Sequence, residues 1–336
     1  MYSYEEFLTQ VRLGLEKSLN KQYDKVDVQE VKVQKINCEM IGLTCNIGGD
    51  KNTICPTIYL ETLYENYMEL EDLDEILRRV EQILVKTLDE RDDLKEKVKG
   101  ISESTDRIIF QLINTEQNKE LLKTLPHRSF FNLSIIYRCV LETEGNEIMS
   151  APINHALADL MNLNEEQLYQ FAYENTKAML EPTIVPMHEV IQSLLRDVAP
   201  DEPLFDENVE GRIPLYVITN KIREWGAASV LYLDDLQAFA DELESNLYLL
   251  PSSIHDMIAI AVENGDPEEL MNLVYEVNQG LPVEERLSND VYLYDRDQNK
   301  LIQVTESEHK MLVEETNERV ERDEMDEGST SMRMGM

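Results

Sequence analysis

The chain has 336 residues, of which 42% are hydrophobic and 15 are tyrosine, enough for two or three domains with substantial cores and too apolar for wholesale disorder. Its 67 acidic residues outnumber 31 basic ones, and the formal charge of −36 repels phosphate backbones, which excludes nucleic acid and anionic membrane as expected partners. An acidic surface that imitates DNA remains a third-ranked reading, because the charge is spread along the chain as on an ordinary solvated surface.

The first residues, Met1 to Phe7, carry no basic stretch followed by an apolar one, and no later window reaches the roughly eighteen apolar residues of a membrane span. A cytoplasmic protein is expected. The four cysteines, Cys38, Cys45, Cys55 and Cys139, have no CxxC spacing and no histidine at a zinc-site interval. They read as small buried residues in a reducing compartment, and neither a metal nor a cofactor is expected.

In chain order, Ser3 to Leu19 forms an amphipathic helix, with Phe7, Val11, Leu15 and Leu19 on one face and Ser3 with Glu6 as a capping box. Strands are expected near Lys25 to Val33, with a bulge where its valines fall out of alternation, and near Glu39 to Asn46. Gly48-Gly49-Asp50 turns into a further strand at Asn52 to Cys55, and Pro56 opens a helix that takes in Ile58, Leu60, Tyr64 and Met68. A longer helix, Leu73 to Val98, becomes almost wholly charged from Asp89 and ends at Gly100.

The middle section reads as a strand at Arg107 to Ile113, a helix at Asn114 to Leu125 capped by Asn114 or Thr115, and a strand at Phe130 to Leu141. Helices follow at Ile153 to Met161, at Glu165 to Met179 with Asn164 as cap, and at Val185 to Val198. Pro200 to Pro203, with Gly211, marks a linker. Beyond it come a strand at Ile213 to Thr219, helices at Ala227 to Leu233 and Asp235 to Glu244 (the latter capped by Asp234), and strands at Leu247 to Leu250 and Met257 to Val262. Asp266-Pro267 starts a helix carrying Leu270, Leu273, Val274 and Val277, and Val291 to Tyr294 with Leu301 to Val304 forms a hairpin. The fold class is α+β, with mixed or antiparallel sheets flanked by helices, a helical middle section and a C-terminal α+β domain. The expected divisions are 1–99, 100–200, 201–304 and an acidic, disordered tail at 305–336.

Leu250-Pro251-Ser252-Ser253-Ile254-His255-Asp256 is the most site-like stretch, a polar turn between two apolar strands. A hydrolase would need Ser252 or Ser253 beside His255 with a carboxylate orienting the ring; Ser253 and His255 share a strand face, whereas His255 and Asp256 diverge, and no GxSxG elbow is present. A structural turn ranks first, a small ligand site next and catalysis last. Further ligand or interaction candidates are Asn220, which can close a side-chain turn, Gly226 at a close backbone approach, Trp225 beside it as the sole tryptophan, and His127, placed to cap a helix ending near Leu125.

Cys55 to Leu60, Leu112-Ile113-Asn114 with Asn118-Lys119, Pro126-His127, Asn175-Thr176, Ile218-Thr219-Asn220, Gly226-Ala227-Ala228, Leu250 to Asp256 and Leu287-Ser288 fall in this order along the chain. Together these segments resemble a domain-of-unknown-function family of bacterial proteins common in gut anaerobes. The likeness runs in order up to about Val304 and implies a cytoplasmic protein with no established activity or cofactor. Asn132 and Asp256 stand where the family pattern has an aspartate and a glutamate. The leading functional expectation is a non-catalytic binding or interaction protein with a protein or small-molecule partner at the Leu250 to Asp256 turn; a Ser/His hydrolase is the alternative.

Overall fold

The computed structural model describes residues 1–47, 57–70, 72–89, 100, 104–145, 147–196 and 213–304. The expected turn at Gly48-Gly49-Asp50, the strand at 52–55, the helix start at Pro56, the charged stretch 90–99, the linker at 200–211 and the tail at 305–336 lie outside the described residues. The chain folds as two compact units, one comprising Met1–Arg128 and Ser134–Thr176, the other Ser129–Leu133 and Lys177–Met336.

The first unit opens with α1, Tyr4–Leu19, entered through the expected capping box: the Glu6 amide donates to Ser3 Oγ and the Ser3 amide to Glu6 Oε2 at 2.9 Å. Its row of Phe7, Val11, Leu15 and Leu19 is buried with Ile76, Val80 and Leu84 of α3, Leu73–Asp89. β1, Val26–Lys35, and β2, Cys38–Ile47, pair without interruption from Val26 opposite Ile47 to Lys35 opposite Cys38, so the expected bulge is absent. The irregular valine spacing is a change of face: Val26 and Val28 are buried, while Val31 and Val33 lie half-buried on the other side.

β3, Thr57–Tyr59, adds to β2 opposite Gly42 to Thr44, and α2, Glu61–Leu70, follows it. Ile58 is therefore in a strand rather than in the helix expected from Pro56; β-branched and aromatic residues beside a free strand edge pair more readily than they coil.

A four-stranded sheet contains β4, Ile108–Asn114, β5, His127–Phe130, β6, Leu133–Glu144, and β7, Glu147–Pro152, in the order β4-β6-β5 with β7 also on β6. The expected helix over 114–125 shrinks to α4, Lys119–Leu122, because Asn114 Oδ1 takes the Gln117 amide in a local turn and Asn118 bonds to Asn37 instead of extending a cap. The strand expected over 130–141 is two strands, broken at Phe131, whose φ of 55° is left-handed. β7 was not expected. α5, His155–Met161, starts two residues later than Ile153 because Asn154 caps it, its side chain accepting the Leu157 amide, and α6, Glu165–Leu180, starts as expected with the Asn164 side chain accepting the Gln167 amide.

The second unit holds a six-stranded sheet in the order β13-β12-β10-β11-β9-β8. β8, Pro182–Pro186, is an edge strand bounded by the two prolines that were expected only to break helices; edges tolerate the missing amide. α7, Met187–Arg196, consequently starts later than Val185. β9, Tyr216–Asn220, leads to a 3-10 turn, Gly226–Leu231, and to α8, Leu233–Leu243, which begins without the side-chain cap expected of Asp234. The two expected strands are β10, Leu247–Pro251, and β11, Met257–Ala261, which pair antiparallel; α9, Pro267–Gly280, follows, and then the expected hairpin of β12, Val291–Asp295, with β13, Lys300–Val304. Leu270 and Val274 of α9 pack on Tyr248, Leu250, Ile260, Val291, Leu293 and Val304 of the sheet. The architecture is α+β with antiparallel sheets. No helix among the described residues is long and apolar enough to cross a membrane.

Candidate functional site

Pro251 pairs with Met257, so 252–256 connects β10 to β11. The connection is held from several sides. The Ser253 amide donates to the Asp256 carbonyl at 3.1 Å, the His255 amide to Ser253 Oγ at 3.0 Å, and the Ile254 amide to the Glu285 carbonyl at 2.8 Å. Thr219 Oγ1 donates to the His255 carbonyl at 2.9 Å and the Ala227 amide to the Ile254 carbonyl at 3.4 Å, so the end of β9 and the 3-10 turn both hold the connection, and Ser229 Oγ ties the two to each other through the Thr219 carbonyl at 2.7 Å.

Gly226 sits where these pieces meet. A Cβ there would come within 2.3 Å of Thr219 Oγ1, 2.4 Å of the His255 carbonyl and 2.9 Å of the Asn220 nitrogen. Asn220 is buried and closes the loop beyond β9, its Nδ2 donating to the Glu224 carbonyl at 2.7 Å and its Oδ1 accepting the Glu224 amide at 3.3 Å. Trp225, half-buried, takes a left-handed φ of 51° immediately before Gly226. The role of both asparagine and glycine is thus to fit the backbone of 219–226 against the turn.

The serine and histidine of the turn meet through the backbone. Ser253 is 6% exposed and its hydroxyl takes the His255 amide. The His255 ring is a quarter exposed, its Nδ1 carries no hydrogen bond among the described residues, and Glu224 Oε2 lies 3.7 Å from it. The expected sharing of a face therefore yields an amide contact rather than a hydroxyl bonded to imidazole.

Asp256 behaves differently from its neighbours. Burial pushes its carboxyl above the usual range and Glu285 adds to that; a hydrogen bond from Ser252 and the positive sides of His255 and Arg223 oppose it without cancelling it. Asp256 and Ser252 line a cavity of about 390 Å³, whereas Ser253 and His255 do not. The cavity walls are Met187, Val190 and Ile191 of α7, Val217 of β9, Leu250, Pro251 and Ile258 of the β10–β11 pair, and Leu270, Leu273, Val274 and Val277 of α9. Leu273 and Val277 remain about half exposed.

Asn278 also lines this cavity, and it was not singled out in the sequence. It is 2% exposed; Nδ2 donates to the Ser288 carbonyl and to Asn289 Oδ1, each at 2.8 Å, and Oδ1 accepts nothing from any described residue. The spacing Leu270, Val274, Asn278 puts an amide at the end of the buried row of α9, which is the signal that marks it. Ser288 is held in turn by Asn132, whose Nδ2 donates to Ser288 Oγ at 2.8 Å and to Asp290 Oδ2 at 2.5 Å, while its Oδ1 takes the Tyr292 hydroxyl. A carboxylate at 132 would lose both donations and oppose Asp290, so the asparagine suits its surroundings here.

His127 belongs to the other unit. It is exposed on β5, its Nδ1 bonded to the Leu125 carbonyl at 2.9 Å, and the helix it was expected to cap ends earlier, at Leu122. No three His, Cys, Asp or Glu side chains among the described residues gather as a metal site would require, and the Cys139 thiol is pushed up to about 11 by burial.

No curated protein and no solved structure matches the chain. The model of a family of unknown function, DUF5688, matches residues 4–296, across both compact units and the whole of the site just described. The chain belongs to that family.

Proposed function

We propose that this is a non-catalytic cytoplasmic binding protein whose ligand is a small, largely apolar molecule held beside the Leu250 to Asp256 turn. The observation that carries the reading is the cavity of about 390 Å³, apolar on its sheet and helix walls with Ser252, Asp256 and Asn278 as its polar groups. Small-molecule sites have this composition: hydrophobic walls for affinity, a few placed polar groups for orientation. An apolar cavity of about 150 Å³ takes up benzene, so this one has room for a bicyclic molecule or a chain of about eight carbons. The engagement of Ser253 by a backbone amide, with Nδ1 of His255 unbonded, favours binding over nucleophilic chemistry, which needs hydroxyl and imidazole in contact.

The test uses an uncharged fluorescent dye such as Nile red, titrated with the full-length protein. Saturable binding at one site per chain is expected. Leu273→Arg, at a half-exposed position on the cavity wall, is expected to weaken it at least about tenfold with circular dichroism unchanged, because a guanidinium resists transfer into an apolar cavity. Dye binding that is absent, or equal in the variant, overturns the reading.

A further inference from the structure

Resting on the binding reading, we infer that the ligand is a primary aliphatic or arylalkyl amine, held with its hydrocarbon part in the cavity and its ammonium at Asp256, Ser252 and Asn278.

The argument begins with hydrogen-bond capacity. Both Asn278 Nδ2 donors are spent on Ser288 and Asn289, and the Ser288 partner is a backbone carbonyl, which requires a donor and so fixes the orientation of the amide. What remains is a carbonyl oxygen, 98% shielded by the protein with the rest of its residue and lacking a partner among the described residues. A buried acceptor left alone costs about 1–3 kcal/mol, so a ligand that donates to it gains what an accepting ligand cannot. Asp256 is likewise an acceptor when ionised, and Ser252 is already turned toward it.

Charge decides which donor. The apolar cavity would ordinarily suggest a fatty acid. A carboxylate here would share a largely apolar cavity with the Asp256 carboxyl, and Asn278 offers it no donor, on a protein whose formal charge is −36. Both the local acceptors and the surrounding field oppose it. An ammonium inverts each of these terms: it supplies three donors, neutralises a carboxylate that its surroundings leave poorly stabilised, and is concentrated by the acidic surface. An alcohol offers one donor and no charge, and ranks between the two.

The experiment displaces Nile red with n-octylamine, 1-octanol and octanoate, at physiological salt, on the wild type and on Asp256→Asn. The expected order is amine, alcohol, acid. Asp256→Asn is expected to weaken octylamine about tenfold or more while changing octanol much less, since hydrogen bonds to charged groups exceed neutral ones by about that margin. Octanoate displacing the dye as well as octylamine overturns the amine assignment and leaves the cavity reading standing. Octylamine that binds without displacing the dye, or equally well to Asp256→Asn, reports accumulation on the acidic surface and also overturns it. Failure of the dye itself to bind is the separate result that removes the binding reading.

Discussion

Gly226→Ala tests the mechanical basis of the site. The added methyl would lie 2.3 Å from Thr219 Oγ1, 2.4 Å from the His255 carbonyl and 2.9 Å from the Asn220 nitrogen, and the last two are backbone atoms fixed by β9 and the turn. Overpacking of this kind costs about 1–3 kcal/mol. Pushing Thr219 aside also threatens its 2.9 Å bond to the His255 carbonyl, worth about 1 kcal/mol. The backbone of Gly226 is not in the left-handed region, so alanine recovers roughly 0.5–1 kcal/mol through the unfolded chain. The net expectation is a loss of about 1–3.5 kcal/mol. Urea unfolding followed by the fluorescence of Trp225, the sole tryptophan and the adjacent residue, reads this directly as a lower midpoint at unchanged slope. Thr219→Ala combined with Gly226→Ala separates the contributions: relief should be partial, because the His255 carbonyl stays in the way. A single variant within about 0.5 kcal/mol of wild type, the range of an inert surface change, would refute the close-approach argument.

Two further predictions concern stability. Because the folded Asp256 carboxyl titrates above its unfolded value, the native state holds its proton more tightly, and stability falls as pH rises from the unfolded carboxylate range through the raised folded value. Asp256→Asn is expected to be the more stable protein at neutral pH, with the gap to wild type closing on acidification into the ordinary aspartate range; a gap constant with pH in urea midpoints contradicts this. Asp266 caps α9, its Oδ1 accepting the Glu268 and Glu269 amides at 3.0 and 3.2 Å, so Asp266→Ala should cost about 1 kcal/mol by the same unfolding assay, with no change meaning that the cap is replaced by solvent.

The legible parts of this fold are those where local pattern and tertiary role coincide. Ser3 with Glu6, Asp266 with Pro267, and the apolar runs either side of Pro251 announce a cap, a helix start and a strand pair, and each is found there. The misread parts are those decided by a distant partner. Thr57 to Tyr59 becomes a strand because β2 offers an edge, and Pro182 to Pro186 becomes one because β9 offers another. The candidate turn was visible as a polar break between strands. The cavity beside it was not, since its walls come from α7, β9, β10, β11 and α9, and no single stretch carries its outline. Asn278 was hidden for the same reason: an asparagine late in a helix reads as solvent-facing until the row from Leu270 is traced to its end.

Residues 129–133, spoken for by the second unit, are separated in sequence from everything else in that unit by 134–176. Asn132 from this short piece supplies donors to Ser288 and Asp290 and an acceptor to Tyr292. A gene segment encoding the chain from Lys177 onward would therefore express a unit missing one of its own parts, with the Tyr292 hydroxyl and the Asp290 carboxylate deprived of their amide. The second unit is thus completed by a piece of chain that lies in sequence inside the first, and the family match from residue 4 to residue 296 takes in both pieces.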